Sequence, residues 1–490
     1  MKSMNARVLA GSFFAGGPTA TTSCVGSHRI DTLEVAAQTG AVRLLACVIV
    51  VFTGACDGPV LTPGSDGGDS AVSLDAGAAD AGAADAATDG GSDSGPPAPL
   101  GPVLYPDGAR HSPIPPELAA GLRAVADRGA GLGDDLFIKV GDSITVSTSF
   151  LHCFAGSRVD LDGRDVLQPT LDTFLAGDAG GTTPFDRTSL AAGVGWSASA
   201  ALAGSPSPLD QEHAAVGPRF AIVMYGTNDV GFRGNETFAR DIWTITDTMI
   251  DRGTIPLLST IPPRDDSASA DARVPIYNLA IRAIAQGRGV PLVDYHLELV
   301  PLPSHGLAGD GVHPQAFGGG SCVLTAAGLA YGANVRNLIT LEQLDRTRSA
   351  LSGSAPDAVA PHLEGSGASD DPYVVQTLPF AAMGDTASSP HRTLDGYACG
   401  TQGEAGAERV YRVEVSAPGT ISAAVLSATG VDADVYLIEG AVDPAACLAR
   451  DDQLVTASVS AGTYYVVADT YSTAAGAELP GEYLVVISIE

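Results

Sequence analysis

Four short polar blocks carry the residue types that acyl transfer needs, in order along a chain of 490 residues. They are Gly141-Asp142-Ser143-Ile144, Ala192-Gly193-Val194-Gly195-Trp196, Tyr225-Gly226-Thr227-Asn228-Asp229 and Asp310-Gly311-Val312-His313-Pro314. A Ser hydroxyl is a poor nucleophile until a base takes its proton. His313 is the candidate base for Ser143. Asp310, three residues earlier on the same loop, can accept from His313 Nδ1–H, fix the tautomer and stabilise the imidazolium. The oxyanion of a tetrahedral intermediate needs donors already in place. The backbone N–H groups of Ser143 and Gly195 and the side-chain amide of Asn228 are the candidates. Gly195 suits the role because a missing Cβ allows close approach, with Gly193 as the alternative.

Each block needs an element to deliver it. Leu136–Val140, Ala221–Tyr225, Ile255–Ser259 and Val290–Val293 read as strands. Asn235–Arg252, Val274–Arg288 and Leu324–Leu341 read as helices. Strand–helix alternation predicts a parallel sheet covered by helices, with polar blocks at its C-terminal rim. Position, not spelling, is the signal. A second copy, Gly68-Asp69-Ser70, has no strand before it. Asp142 and Asp229 are expected to support their loops. His296 and His305 lack an Asp three residues before them, and His152 and His213 read as surface or structural residues. Nothing in the sequence raises Arg264 or Tyr277 above background as cleft residues.

In this order the four blocks resemble the SGNH (GDSL) hydrolase family over residues 102–347. The resemblance implies a three-layer α/β/α, flavodoxin-like sheet and cleavage of carboxylic esters, including acyl groups on carbohydrates and lipids. It implies Ser143, Asp310 and His313 as a catalytic triad, with Ser143, Gly195 and Asn228 around the oxyanion. The second block departs from the family pattern, which shows an Asn and more widely spaced glycines. The motifs call for no metal ion, and no cofactor is expected. The region 368–490 alternates in short β-rich runs and predicts a small antiparallel β-sandwich. Asp432-Ala433-Asp434-Val435-Tyr436-Leu437, Ala461-Gly462-Thr463-Tyr464-Tyr465-Val466-Val467 and Gly481-Glu482-Tyr483 resemble the bacterial pre-peptidase C-terminal domain. Asp432 and Asp434 there cap a turn or, alternatively, bind calcium. Residues 348–367 read as a linker.

The net charge of −30 argues against nucleic acid as a partner. Asp57–Leu100 holds eight Asp and no Lys, Arg or Glu. It has too little apolar surface to offset its ordering entropy, so residues 57–101 are expected to be a disordered acidic tether. Residues 1–56 read as a leader. Leu44–Ala55 is too short to span a bilayer and has the length of a signal-peptide core. Thr53-Gly54-Ala55-Cys56 resembles a lipobox, which implies cleavage before Cys56 and a lipid on it; an ordinary signal peptide is the alternative. The expectation is an exported protein on a bacterial cell envelope, touching membrane only through that anchor, or else secreted. Export exposes Cys153, Cys322, Cys399 and Cys447 to an oxidising compartment. Three pairings are possible, and Cys153 with Cys322 plus Cys399 with Cys447 is the simplest. The expected function is a serine esterase acting on an ester substrate, an acylated glycan first. A lipase and a non-catalytic glycan-binding protein are the rivals.

Overall fold

The computed structural model describes residues 101–400, 405–473 and 476–490. The leader, Cys56, Gly68-Asp69-Ser70 and the acidic segment up to residue 100 lie outside the described residues. Residues 101 onward belong to one compact unit.

Continuous apolar runs build the sheet. β1 (Gly133–Gly141), β2 (Pro218–Met224), β3 (Ile255–Ser259) and β4 (Leu292–Val293) pair in that order, all parallel. Every residue of β2 and β3 is buried, as strands covered on both faces must be. On the other side of β1 stands a single parallel bridge, Gly141 to Ala192, which seats the second block beside the first. The helices are α1 (Pro116–Arg128), α2 (Ser143–Val146), α3 (Gln168–Ala176), α4 (Ala198–Leu202), α5 (Pro208–Val216), α6 (Asp229–Phe232), α7 (Asn235–Asp251), α8 (Ala268–Asp271), α9 (Val274–Arg288), α10 (Tyr295–Leu299) and α11 (Gly332–Leu351). α7 packs on α9 and α4, while α1, α3 and α10 gather round α11. Phe174 of α3 meets Phe137 and Phe220 edge-on at 5.2 and 5.7 Å, each contact adding about 0.5–1.5 kcal/mol beyond area burial.

β1 and β2 each begin three residues before the sequence-based bounds, and two further elements begin later than expected. The strand expected from Val290 begins at Leu292, because Val290 N–H turns back to Ala285 O at 2.9 Å and closes α9. The helix expected at Leu324–Leu341 starts at Gly332 and runs to Leu351. Cys322 is bonded to Cys153, and Leu324 N–H donates to Asp160 O at 2.8 Å. Residues 322–324 are thereby held extended beside Asp160, and α11 cannot begin there. The helix enters the span expected as linker. The rest of that span is tied to the start of the described chain by Leu104 N–H to Pro361 O and Leu363 N–H to Pro102 O, at 2.7 and 2.8 Å.

The C-terminal strands are β5 (Tyr373–Val375), β6 (Phe380–Asp385), β7 (Glu408–Val415), β8 (Gly419–Ser427), β9 (Ala433–Glu439), β10 (Cys447–Asp451), β11 (Leu454–Val459), β12 (Gly462–Thr470) and β13 (Glu482–Ile489). They form two sheets, β10-β9-β12-β7-β5 and β11-β8-β13-β6, antiparallel except for β5 on β7. Tyr411, Val413, Val435, Leu437, Val466 and Val485 fill the space between them, a β-sandwich core. Cys399 bonds to Cys447, and Asp434 is ion-paired with Arg450.

The sandwich is docked, not dangling. Leu426, Leu484 and Val486 join the core of the α/β domain. Arg288 of α9 bridges Asp247 of α7 at 2.6 Å and Glu482 of β13. Gly287 lets α9 close on β6, since a Cβ there would stand 2.6 Å from Met383 Cβ. Among the described residues no helix is long and apolar enough to cross a membrane.

Candidate active site

β1 empties at Gly141 directly into α2, a single helical turn with Ser143 as its first residue. Asp142 caps that turn, its Oδ1 accepting from Ile144 N–H at 3.0 Å. Its side chain is fully buried, and burial pushes the carboxyl up to about 6. Asp142 Oδ2 and Thr227 Oγ1 are both buried, and neither completes a hydrogen bond of normal geometry.

His313 arrives from the opposite side on a closed loop. Leu307 bridges to Pro314, Ala308 N–H donates to His313 O at 2.8 Å and Gln315 N–H to Gly306 O at 2.9 Å. Asp310 organises the tip of the loop. Its Oδ1 accepts the N–H groups of Val312 and His313 at 3.1 and 3.0 Å. Its Oδ2 accepts from His313 Nδ1 at 2.7 Å. The His313 and Val312 N–H groups and then the His313 ring hold the Asp310 carboxyl down at about 2. An ionised Asp310 assigns the ring proton to Nδ1. That leaves Nε2 as an acceptor, 2.8 Å from Ser143 Oγ. A hydroxyl in this relay can be deprotonated as it attacks a carbonyl carbon.

The donors gather beside it. Gly193 N–H is committed to Gly141 O at 3.1 Å, under the Trp196 indole. Gly195 adopts φ 75°, and neither its N–H nor that of Ser143 donates to an acceptor among the described residues. Asn228 follows β2, and its Nδ2 donates one hydrogen to Trp196 O at 2.9 Å, which orients the amide. Asp229 is buried, pushed up to about 6 by burial, and accepts Ala198 N–H at 3.3 Å. It fastens the third block to α4, which follows the second.

The loop after β3 joins the two sides. Arg264 donates to Thr227 O on the Asn228 loop and pairs with Asp266 at 2.8 Å. Asp265 meets His305 Nδ1 at 2.8 Å at the base of the His313 loop. Gly311, at φ 70°, rests against this loop, where a Cβ would be 2.7 Å from Asp266 N. His305 therefore has an Asp partner that a local Asp-x-x-His search cannot find, because Asp265 lies on another element. Tyr277 lines no cleft: it is buried, donates to Arg233 O at 2.5 Å and accepts from Arg273 at 2.7 Å. His213 is held by Thr254 Oγ1 at 2.9 Å, and His152 lies half-buried beside Lys139.

The sequence reading placed a helix here but missed the polar residues that α11 contributes to the site. Asn334, Arg336 and Asn337 are buried on it. Asn334 accepts Phe317 N–H at 3.0 Å and donates to Gly320 O and Val323 O. Asn337 accepts Leu151 N–H at 2.8 Å and donates to Ser149 O and Ser321 O. One helix thus grips the segments that follow Ser143 and His313. The Cys153–Cys322 bond joins the same two segments across 169 residues of sequence. Closing a loop of that size removes about 5 kcal/mol of chain entropy from the unfolded state in the entropic account. Among the described residues no group of three or more His, Cys, Asp or Glu side chains is arranged to hold a metal ion.

A doubly covered parallel sheet with Ser, His and Asp converging beyond its strand ends defines a hydrolase domain of the α/β type. Residues 140–319 match the GDSL-like lipase/acylhydrolase family, and this domain is a carboxylic ester hydrolase of that family. No curated protein matches the sequence. Similar solved structures include a GDSL-like lipase from Bacteroides thetaiotaomicron, 14% identical, covering 46% of this chain and 98% of the other at a TM-score of 0.28. An acetylxylan esterase from Geobacillus stearothermophilus is 15% identical, covering 44% and 95% at 0.30. Over the C-terminal region, the pre-peptidase C-terminal domain of a collagenase from Bacillus anthracis is 18% identical, covering 23% and 90% at 0.16.

Proposed function

We propose that this protein is an exported serine esterase that removes short O-acyl groups, acetyl first, from a polysaccharide. The observation that carries the chemistry is the relay from Ser143 Oγ to His313 Nε2 at 2.8 Å and from Nδ1 to Asp310 at 2.7 Å. Ser143 Oγ attacks the ester carbonyl carbon while Nε2 takes its proton. The oxyanion is met by the Ser143 and Gly195 N–H groups and the second amide hydrogen of Asn228. His313 then protonates the leaving alcohol, and the acyl group stays on Ser143. Water, deprotonated by the same Nε2, attacks the acyl-enzyme and releases the acid.

Two features support a short acyl group on a bulky alcohol. The side chains of His313 and Asp310 are 44% and 51% exposed, so the site is open enough for a polymer to lie across it. Beside His313 is a cavity of about 30 Å³ lined by Ile144, Ser147, Phe150, Pro314, Ala333 and Arg336. A water needs roughly 10–15 Å³ by this measure, so the cavity holds about two water-sized groups. A lipid ester is the second reading, favoured by the exposed Val194 beside Gly195 and the exposed Phe232 at the end of α6, which follows Asn228. Rates on aryl acetate, aryl octanoate, an acetylated polysaccharide and a triglyceride emulsion decide between them. The first reading expects the acetate to exceed the octanoate by about 10-fold or more in kcat/KM, since the longer chain overfills the cavity and displaces the ester from its attack position. Preference for octanoate and triglyceride refutes it. A folded protein inert on all four favours the binding rival.

Export and lipidation at Cys56 belong to the same proposal, supported by the pairing of Cys153 with Cys322 and Cys399 with Cys447. Mass spectrometry of the mature N-terminus is expected to find a lipid-modified Cys56. A mature chain beginning elsewhere refutes the anchor.

A further inference from the structure

Arg336 is a buried charge of the α/β domain that the chemistry above leaves unused. It sits on α11 with 2% of its surface exposed. A buried guanidinium is costly unless something is gained by keeping it. Among the described residues it forms no ion pair, so charge neutralisation is not the gain. Its donors go to the nucleophile turn. Nη1 donates to Ile144 O at 2.8 Å and Nη2 to Thr145 Oγ1 at 3.0 Å. The guanidinium lies 3.6 Å over the Phe150 ring, which fixes its plane. It also lines the cavity beside His313.

α2 is too short to hold itself. With four residues it closes hydrogen bonds only to Asp142 O and Ser143 O, so its carbonyls need outside donors. Arg336 supplies the donor to Ile144 O, next to Ser143. A planar fork bonded at two points and stacked on a ring resists rotation in a way an ammonium cannot.

We propose that Arg336 is a positioning residue for the ester hydrolysis: it fixes the Ser143 turn through Ile144 and Thr145. Asp142, which caps the same turn, is buried, and its Oδ2 completes no normal hydrogen bond. The groups whose charge or titration faces Asp142 are Arg336 from α11, His313 from its loop and Tyr225 after β2, with Thr227 beside it. Burial raises the Asp142 carboxyl to about 6, and Arg336 and His313 act against that rise. Removing Arg336 raises the Asp142 carboxyl further, so the carboxylate is lost at higher pH.

The inference rests on Ser143 being the nucleophile, and the experiment separates the two. Wild type, Ser143→Ala, Arg336→Lys and Arg336→Met are compared on an aryl acetate across pH, with Tm measured for each. Arg336→Met is expected to lower kcat by about 100-fold, the cost of roughly ångström-scale misplacement, with KM within about threefold. Its acid limb of kcat/KM shifts to higher pH. Arg336→Lys keeps the charge without the fork, so it loses about 10-fold in kcat and leaves the limb unmoved. If Arg336→Met does not fold, Arg336→Lys carries the test through kcat alone. Both variants within twofold of wild type, or losses that track only the folded fraction, overturn the role of Arg336. A Ser143→Ala variant as active as wild type overturns the nucleophile instead.

Discussion

Ser143→Ala is expected to reduce kcat for ester hydrolysis by about 10⁴-fold or more while leaving the fold intact. Ser143 is half-buried, and its side chain has one hydrogen-bond partner, His313 Nε2. Losing that bond costs little stability because His313 is already held by Asp310 and is partly solvated. The effect on rate is large because no acyl-enzyme can form. What remains is water attack assisted by His313 and by the Gly195 and Asn228 donors, which is why the residual rate stays above the uncatalysed one. Initial rates on an aryl acetate check this, with circular dichroism and Tm as the control for folding. The outcome that sinks it is a folded Ser143→Ala protein within tenfold of wild type. Ser70 offers an internal comparison: it has the same Gly-Asp-Ser spelling but no strand before it, and Ser70→Ala is expected to keep full activity.

The difference between those two tripeptides shows what a sequence can reveal. β3 and α9 lie where apolar runs and helical spacing place them, at Ile255–Ser259 and Val274–Arg288. Both have a simple job, to cover or fill the sheet, so hydrophobicity alone encodes them. α11 was misplaced because it is buried nearly all round and turns polar residues inward. Asn334, Arg336 and Asn337 read as a solvated face in one dimension, yet their partners are loop carbonyls and amides on other elements. The same limit applies at the site. Asp310 and His313 are three residues apart and declare themselves. Asp265 and His305 are forty apart in sequence, and only the fold brings them together. Within the sandwich, β8 and β10 are hard to read in the sequence for a different reason. β8 (Gly419–Ser427) is rich in Ala and Ser, and β10 (Cys447–Asp451) lies at a sheet edge with exposed residues, so neither shows a strong alternation.

Asp310→Asn is expected to cost about 10⁴-fold in kcat, nearly as much as losing the nucleophile, though it changes one oxygen to nitrogen. Three donors converge on the wild-type carboxylate: the N–H groups of Val312 and His313 and the ring Nδ1. An amide has one acceptor oxygen and an NH₂ that faces a donor if it replaces Oδ2. Two arrangements result, and both are damaging. Either the amide oxygen keeps the backbone donors and the NH₂ confronts Nδ1, forcing the ring proton to Nε2, where it cannot accept from Ser143. Or the oxygen keeps Nδ1 and the NH₂ opposes the backbone N–H groups, loosening the loop tip. In neither does a negative charge stabilise the imidazolium. The pH dependence gives an independent check. The folded carboxyl is depressed from the ordinary 3.8 to about 2. Its preference for the folded loop is therefore complete above about pH 4 and is lost as pH falls toward 2. The side chain is half exposed, so solvent screening makes this a small contribution to global stability. The wild-type acid limb between pH 4 and 7 thus reports groups other than Asp310, and replacing Asp310 lowers the whole profile there. An Asp310→Asn variant that recovers wild-type kcat at any pH in that range would show that the carboxylate is not the group that orients His313.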